Sequence, residues 1–474
     1  MLFNSSEYIF FFLPLALLGY FLLQHFKFKM LAKCFLILAS WVFYSWWNIS
    51  FLKLFLFSMI FNYTASRILW YQKTDAGRRF WMALGILGNV CFLGFFKYTD
   101  FCLSSINALT GSSLPLMHIV MPLAISFYTF QQIGFLVDVF HGKAGRFHII
   151  DYVLFVSFFP QLISGPIVRC DETMEQFRDP ERRNFSSRSC AAGIYQFVIG
   201  LGKKVLIADT LAQWVQLGYQ SSSTLIMTEA WMTSLAYTLQ IYYDFSGYTD
   251  MAIGTARMFH IQLPVNFQSP YKAVNIQDFW RRWHMTLSRL LRDIIYIPLG
   301  GSRRGMICTA VNTCLTFLLC GLWHGAGWTF IIWGGLHGLA LVVWRAFKGM
   351  GGRLPAWLGW VLTMLFVNAA WIFFRAPDLQ TAMEILKAMA DVETLVIPAE
   401  WLVLPALCST EIVFGVLLGV VLLIGWMMVL LFPDSNQMTE EFAPRVENVV
   451  FIILIAVISI TQLDGVREFI YFNF

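Results

Sequence analysis

Apolar side chains fill long stretches of this chain almost without interruption, and short polar loops separate one stretch from the next. About 20 such residues cross the hydrocarbon core of a bilayer as an α-helix. The runs are Tyr8–Gln24, Met30–Trp47, Leu52–Trp70, Phe80–Phe96, Leu116–Phe140, Ile149–Val168, Cys190–Ala208, Trp231–Tyr248, Met306–Leu322, Trp328–Ala346, Trp357–Phe374, Ile412–Phe432 and Val446–Leu463. They predict an all-α integral membrane protein with about 11–13 transmembrane or re-entrant helices. The short alternating segments of a β-barrel are absent from the sequence. Leu379–Ala390 has the period of a short amphipathic helix lying on a membrane surface.

The basic loops orient these runs. Lys27, Lys29 and Lys33 follow the first, Arg67, Lys73, Arg78 and Arg79 the third, and Lys143 and Arg146 the fifth, which alternates correctly with the N-terminus outside. The next loop breaks the alternation, because it too is rich in Arg (Arg169, Arg178, Arg182, Arg183, Arg188) although acidic residues balance them. Pro160, Gly165 and Pro166 interrupt the preceding run, so 149–168 is expected to enter and return as a re-entrant hairpin shielded by protein. A full span with a neutral outer loop is the alternative. From there Arg281 to Arg304 fall inside, as do Arg345, Lys348 and Arg353, and the tail Asp464–Phe474 falls outside.

Composition narrows the class. Of 474 residues only 13% are charged, against about 25% in soluble domains. The net charge of +5 is mild and concentrated in loops, so it gives no reason to expect nucleic acid. The first run has no Lys or Arg before it and no small-residue cleavage site after it, and reads as a retained helix rather than a signal peptide. The nine cysteines show no paired spacing, and neither a disulfide framework nor a metal site is expected.

The chemistry concentrates in two places. Gly321-Leu-Trp-His-Gly-Ala-Gly-Trp328 sets His324 between two apolar runs. A charged group at that depth costs about 2–3 kcal/mol or more, so such a residue is by default a functional candidate. Neutral imidazole titrates near 6.5 and can take a proton from a hydroxyl at physiological pH. Cys320 stands one helical turn before it, which would permit an acyl-thioester, but an apolar cysteine is usually inert. Upstream, Ile276–Asp293 has helical spacing, with Phe279, Trp283, Leu287, Leu290 and Ile294 on one stripe and Arg281, His284 or Met285, Ser288 and Arg292 on another. That helix is expected either to snorkel arginines into headgroups or to dock a phosphate-bearing donor. By charge count His284 is at the inner side, with His324 deeper or nearer the outer face. Asp244, inside the span Trp231–Tyr248, needs a partner or a water-filled cavity, and Tyr242, Tyr243, Ser246 and Tyr248 are the nearby hydroxyls. Ser126, Tyr128, Gln131 and Asp138 share one span and suit interhelical hydrogen bonding or a channel lining. His337, among Gly334, Gly335 and Gly338, reads as a close-packing site.

Together, Ser126–Gln132 with Asp138, Phe159–Ile167, Asp244–Gly254, Asn266–Tyr271, Asp278–Arg304, Gly321–Gly338 and the ending Glu468–Phe474 resemble the membrane-bound O-acyltransferase family. The match is closest to its bacterial alginate O-acetyltransferase branch, to which the teichoic-acid D-alanyl transporters are related. The resemblance implies a ring of tilted helices around a central funnel. It also implies a single domain, 1–474, in which 1–114 and 348–474 are peripheral helices and 115–347 is the catalytic core. His324 matches the family's catalytic histidine and His284 the second histidine of this branch. Asp244, Trp323, Arg281, Arg282, Ser288, Tyr128 and Gln131 are expected to bind the donor or line the funnel. No cofactor is implied beyond acetyl-CoA as donor substrate. The implied setting is a bacterial inner membrane, with lipid around the chain and a periplasmic partner of the SGNH hydrolase type working with a polysaccharide synthesis and secretion complex.

The expected activity is transfer of acetyl from cytoplasmic acetyl-CoA across the membrane to an exopolysaccharide of alginate or cellulose type. Two alternatives stand beside it: D-alanyl transfer from a carrier-protein thioester to teichoic acid, and a non-enzymatic transporter, against which speaks the lack of visible inverted repeats.

Overall fold

The computed structural model describes residues 1–145, 147–395, 410–463 and 469–470, with only the backbone for 410–418. Arg146, and most of the tail for which an outer position was expected, lie outside the described residues. Every regular element among those described is a helix.

The first helices are α1 (Leu13–His25), entered through a π-turn at Tyr8–Phe12, α2 (Lys29–Ser45), α3 (Ile49–Tyr71), α4 (Asp75–Thr110) and α5 (Ile125–Phe140). Local chemistry sets their ends. The Asn48 side chain accepts from Ser50 N–H ahead of α3, and Thr74 accepts from Gly77 N–H ahead of α4. Gly111 closes α4 in the left-handed region, where a Cβ would be strained. The run Leu116–Phe140 is not one helix. Pro122 and a left-handed Ala124 delay α5, and the preceding strap is held to α4 by Asp100, whose carboxylate accepts from Met117 N–H at 2.7 Å and Ile119 N–H at 3.2 Å.

The hairpin expected at 149–168 is present. α6 (Ile149–Ser157) breaks at Phe158, α7 (Phe159–Leu162) makes one turn, and the chain reverses at Gly165-Pro166 into α8 (Cys170–Arg178). A Cβ at Gly165 would collide with the Gln161 backbone, so only glycine fits the reversal. Arg178, at the end of α8, reaches back to Asp151, in the first turn of α6, at 2.9 Å. The two ends of the hairpin therefore lie together.

Next come α9 (Ser187–Gly202), a π-segment Lys203–Ala208, α10 (Asp209–Gln220) and the 32-residue α11 (Met227–Met258). α12 (Ile276–Arg282) and α13 (Met285–Leu291) are short. α14 (Gly305–His324), α15 (Trp328–Gly349) and α16 (Ala356–Arg375) are long and apolar. The amphipathic α17 spans Leu379–Ala390, followed by α18 (Thr410–Leu431), α19 (Ser435–Glu440) and α20 (Val446–Ile460). Among the described residues, seven helical stretches are long and apolar enough to cross a bilayer, and Gly419–Leu431 and Val446–Ile460 are shorter apolar ones. This is an all-α, multi-pass membrane fold.

The chain forms two compact units. One comprises 1–198, 248–265 and 442–452, the other 199–247, 266–441 and 453–474. In the first, Asn62 and Asn89 exchange side-chain hydrogen bonds at 3.0 and 2.6 Å, so two buried amides satisfy each other. In the second, α14 and α15 pack backbone to backbone. A Cβ on Gly321 would meet the Phe330 carbonyl, and one on Gly334 the Phe317 carbonyl. Small residues at a helix crossing substitute close van der Waals contact for the hydrophobic drive that lipid removes.

Candidate active site

His284 and His324 come together in the second unit, their rings 6.4 Å apart between centroids. The single helix expected over Ile276–Asp293 does not form. Asn275 caps α12 by accepting from Asp278 N–H, the helix stops at Arg282, and His284 takes φ +43°, ψ +52° before α13 begins. A non-glycine residue held there costs about 1–3 kcal/mol and persists only where its surroundings enforce it. The break aims the His284 ring inward, fully buried, instead of leaving it on an inner-side stripe. Any difference in depth between the two rings is at most the 6.4 Å that separates them.

His324 is the last residue of α14. The extended Gly325 and Gly327 turn the chain into α15, and α15 and α16 wall the ring with Trp333 at 5.1 Å and Phe374 at 5.2 Å, beside Trp323 at 4.8 Å. His284 packs edge-on against Phe245 at 4.8 Å. Both imidazoles sit in aromatic, water-poor surroundings, where electrostatic interactions are stronger than in water.

His284 is tied to Asn266, a residue not singled out for this role from sequence. Its Nδ1 lies 3.0 Å from Asn266 Oδ1, and the same oxygen accepts from Thr286 Oγ1–H at 2.9 Å and Thr286 N–H at 3.3 Å. The Asn266 backbone carbonyl accepts from Met285 N–H at 3.0 Å. No local pattern reports a contact that joins positions 18 residues apart.

A cavity of about 230 Å³ opens among α12 to α15, the elements that flank or carry the two histidines, and neither imidazole is among its lining residues. Arg281, Arg292 and Arg345 line it, with Ser288, Tyr296, Trp280 and Trp344. Ser288 is one turn beyond His284 and donates its N–H to the His284 carbonyl at 3.0 Å. Trp280 donates its indole N–H to His337 Nδ1 at 3.1 Å, and Trp333 lies between His337 and His324, 4.9 and 5.1 Å away. His337 is thus more than a filler of glycine-lined space: it holds one wall of the cavity.

The other expected site residues are placed as follows. Arg282 pairs with Asp278 at 2.9 Å. Asp244 pairs with Lys204 at 2.6 Å, and Lys204 also reaches Asp209 at 2.8 Å, so the partner sought among nearby hydroxyls is a lysine in the π-segment. Tyr243 instead donates to the Gly425 carbonyl at 2.7 Å. Tyr128 and Gln131 belong to the first unit, where Tyr128 packs on Phe55 and Gln131 donates to the Phe155 carbonyl at 3.1 Å. Asp138, Cys170 and Asp171 bring three potential ligand atoms together, but Asp138 is ion-paired with Arg169.

Residues 141–383 match the profile of MBOAT, the membrane-bound O-acyltransferase family. Peptidoglycan O-acetyltransferase of Helicobacter pylori is 46% identical over 419 residues, covering 82% of this chain and 80% of that protein. A probable alginate O-acetylase of Pseudomonas aeruginosa is 41% identical over 399 residues, covering 82% and 75%. Teichoic acid D-alanyltransferase of Bacillus subtilis is more distant, 27% identical over 248 residues and covering 49% and 61%. The transporter alternative gives way to these findings: the chain belongs to the membrane-bound O-acyltransferase family and is an acyltransferase.

Proposed function

We propose that the protein moves an acetyl group from acetyl-CoA to hydroxyls of a cell-envelope polysaccharide, peptidoglycan or an exopolysaccharide, and that the His284–His324 pair carries the chemistry. The observations behind this reading are the approach of the two rings to 6.4 Å and a cavity with three arginines on the helices that flank them. Arginine forks phosphate oxygens bidentately, and the indoles of Trp280 and Trp344 offer flat apolar walls to the rest of a nucleotide thioester. His324 acts as general base: it takes the acceptor's hydroxyl proton as the oxygen attacks the acetyl carbonyl, the C–S bond breaks, and the thiolate leaves as thiol. The acceptor is either the sugar itself or a periplasmic SGNH-type partner that passes the acetyl on. The setting is a bacterial inner membrane, with the arginine cavity facing the cytoplasm.

Acetyl is preferred to D-alanyl because the O-acetyltransferase relatives are 46% and 41% identical over most of the chain, whereas the D-alanyltransferase shares 27% over half of it. The test is acetate released by alkali from isolated peptidoglycan and exopolysaccharide of cells carrying His324→Ala or His284→Ala. General base action contributes about 10²–10⁴ in rate, so each variant should reduce acetylation to background while inserting at wild-type level. Wild-type acetate in both variants would remove the pair from the mechanism. Loss of D-alanine esters, with acetate unchanged, would select the second reading.

A further inference from the structure

We propose that Asn266 is a positioning residue that fixes His284 as the tautomer protonated on Nδ1 and leaves Nε2 as its basic face. The inference rests on the histidine pair being the reacting centre.

The assignment follows from what each group can do. A backbone N–H only donates, so Thr286 N–H requires an acceptor, and the side-chain amide of Asn266 must present its oxygen rather than its nitrogen. The Thr286 hydroxyl at 2.9 Å donates to the same atom. His284 Nδ1 faces that oxygen at 3.0 Å, and a carbonyl oxygen cannot donate, so Nδ1 bears the hydrogen. In neutral imidazole Nε2 then holds the lone pair, and no hydrogen-bonding partner occupies it among the described residues.

Two further observations show that this geometry is enforced. His284 stays in the left-handed region, where Met285 N–H on the Asn266 carbonyl and Thr286 N–H on its side chain lock the backbone. Meanwhile the Asn266 Nδ2 donors find no partner among the described residues although the residue is fully buried. An unsatisfied buried donor costs about 1–3 kcal/mol, so stability alone does not favour asparagine at this place. Aspartate would also accept all three donors, but it would bring a buried charge and favour the charged imidazole. Asparagine orients the ring and leaves it neutral. Its amide does for His284 what a carbonyl does behind a metal-bound or catalytic imidazole: it sets which nitrogen reacts.

The direct test is 15N magnetic resonance of the membrane-reconstituted protein with labelled histidine, the His284 signals being those missing from His284→Ala. The expected spectrum shows a protonated Nδ1 and a bare Nε2, and Asn266→Ala releases the ring to the other tautomer or to a mixture. A wild-type ring protonated on Nε2 overturns the proposal without any variant. In the acetylation assay, Asn266→Ala should lose about 10- to 100-fold, as losses of such orienting groups do, and should cost nothing further in the His284→Ala background. Asn266→Asp should recover part of the loss, because its carboxylate keeps the acceptor. Equal damage in both substitutions, or a further drop on His284→Ala, would make Asn266 merely structural. Full activity in His284→Ala defeats the underlying reading instead, and the spectrum alone then decides the tautomer.

Discussion

Arg281 and Arg282 are neighbours with different occupations. Arg281 lines the cavity, while Arg282 is engaged by Asp278 one turn back on α12. Charge-assisted hydrogen bonds contribute about 1.5–3 kcal/mol, so Arg281→Gln should raise the KM for acetyl-CoA about 10- to 100-fold in purified protein, with kcat little changed. Arg282→Gln should leave KM within about threefold, since its guanidinium is held by Asp278 and does not line the cavity, and a partly exposed i,i+4 pair contributes about 1 kcal/mol or less. Equal effects would mean that the cavity does not hold the donor. Lys204 makes a different case. Its ammonium sits between the half-buried Asp209 and Asp244, and is buried with the latter. Removing one partner of a buried pair costs about 3–5 kcal/mol because a charge is left uncompensated. Lys204→Met should therefore lower the thermal midpoint sharply, and Asp244→Asn added to it should restore part of the loss. A double variant no better than the single one would show that these charges are not coupled. As members of the candidate site His324, His284 and Arg281 were legible in the sequence, His324 because an ionisable group between two apolar runs stands out and the other two because they lie on a basic, aromatic stretch of helical period. Lys204 and Asn266 were not, because each earns its role only through a partner distant in the chain.

At the scale of elements, the runs located most helices but not their breaks. The interruption between α12 and α13 falls at His284, and no proline or glycine announces it. The helical period continues through the break, so a pattern of stripes could not see a single residue turned left-handed by Asn266. The hairpin of α6 to α8 was legible because Pro160, Gly165 and Pro166 and the misplaced arginines both reported it. Its two ends are clasped by Asp151, which accepts from Lys33 at 2.6 Å and Arg178 at 3.0 Å. Asp151 lies at the head of the hairpin, outside the spans. Burial by itself would raise its carboxyl, but the hydrogen bonds and charges of Lys33 and Arg178 outweigh it and hold the group below the ordinary carboxylate range. A depressed folded value stabilises the fold fully above the unfolded value, near 4, and the contribution disappears as pH falls through the folded one. Asp151→Asn should thus lower the thermal midpoint in detergent at pH 7, and the gap to wild type should narrow below about pH 4. A gap of the same size at pH 3 would assign the clasp to packing rather than charge.

For the molecule as a whole, the clasp decides sidedness. Lys33 opens α2, Asp151 opens α6 and Arg178 ends α8, and the three meet at one place. Residues 26–28 and 179–186 therefore lie at the same end of the first unit. The helix α4 runs the other way, and its 36 residues span roughly 54 Å at 1.5 Å per residue, well beyond a hydrocarbon core of about 30 Å. Its far end, with Ser112, accordingly projects from the opposite face. Lys27, Lys29 and Lys33 make the clasped end cytoplasmic by the positive-inside rule. Single cysteines at Lys27, Glu181 and Ser112, in a background with all nine native cysteines replaced by serine, give the measurement. A membrane-impermeant maleimide should label Lys27→Cys and Glu181→Cys only in inside-out vesicles, and Ser112→Cys only in intact spheroplasts. Labelling of Glu181→Cys from outside, with Lys27→Cys still inside, would turn the hairpin into a full span. That result would also separate the two ends that Asp151 clasps, placing Asp151 and Arg178 on opposite faces against the 2.9 Å contact between them.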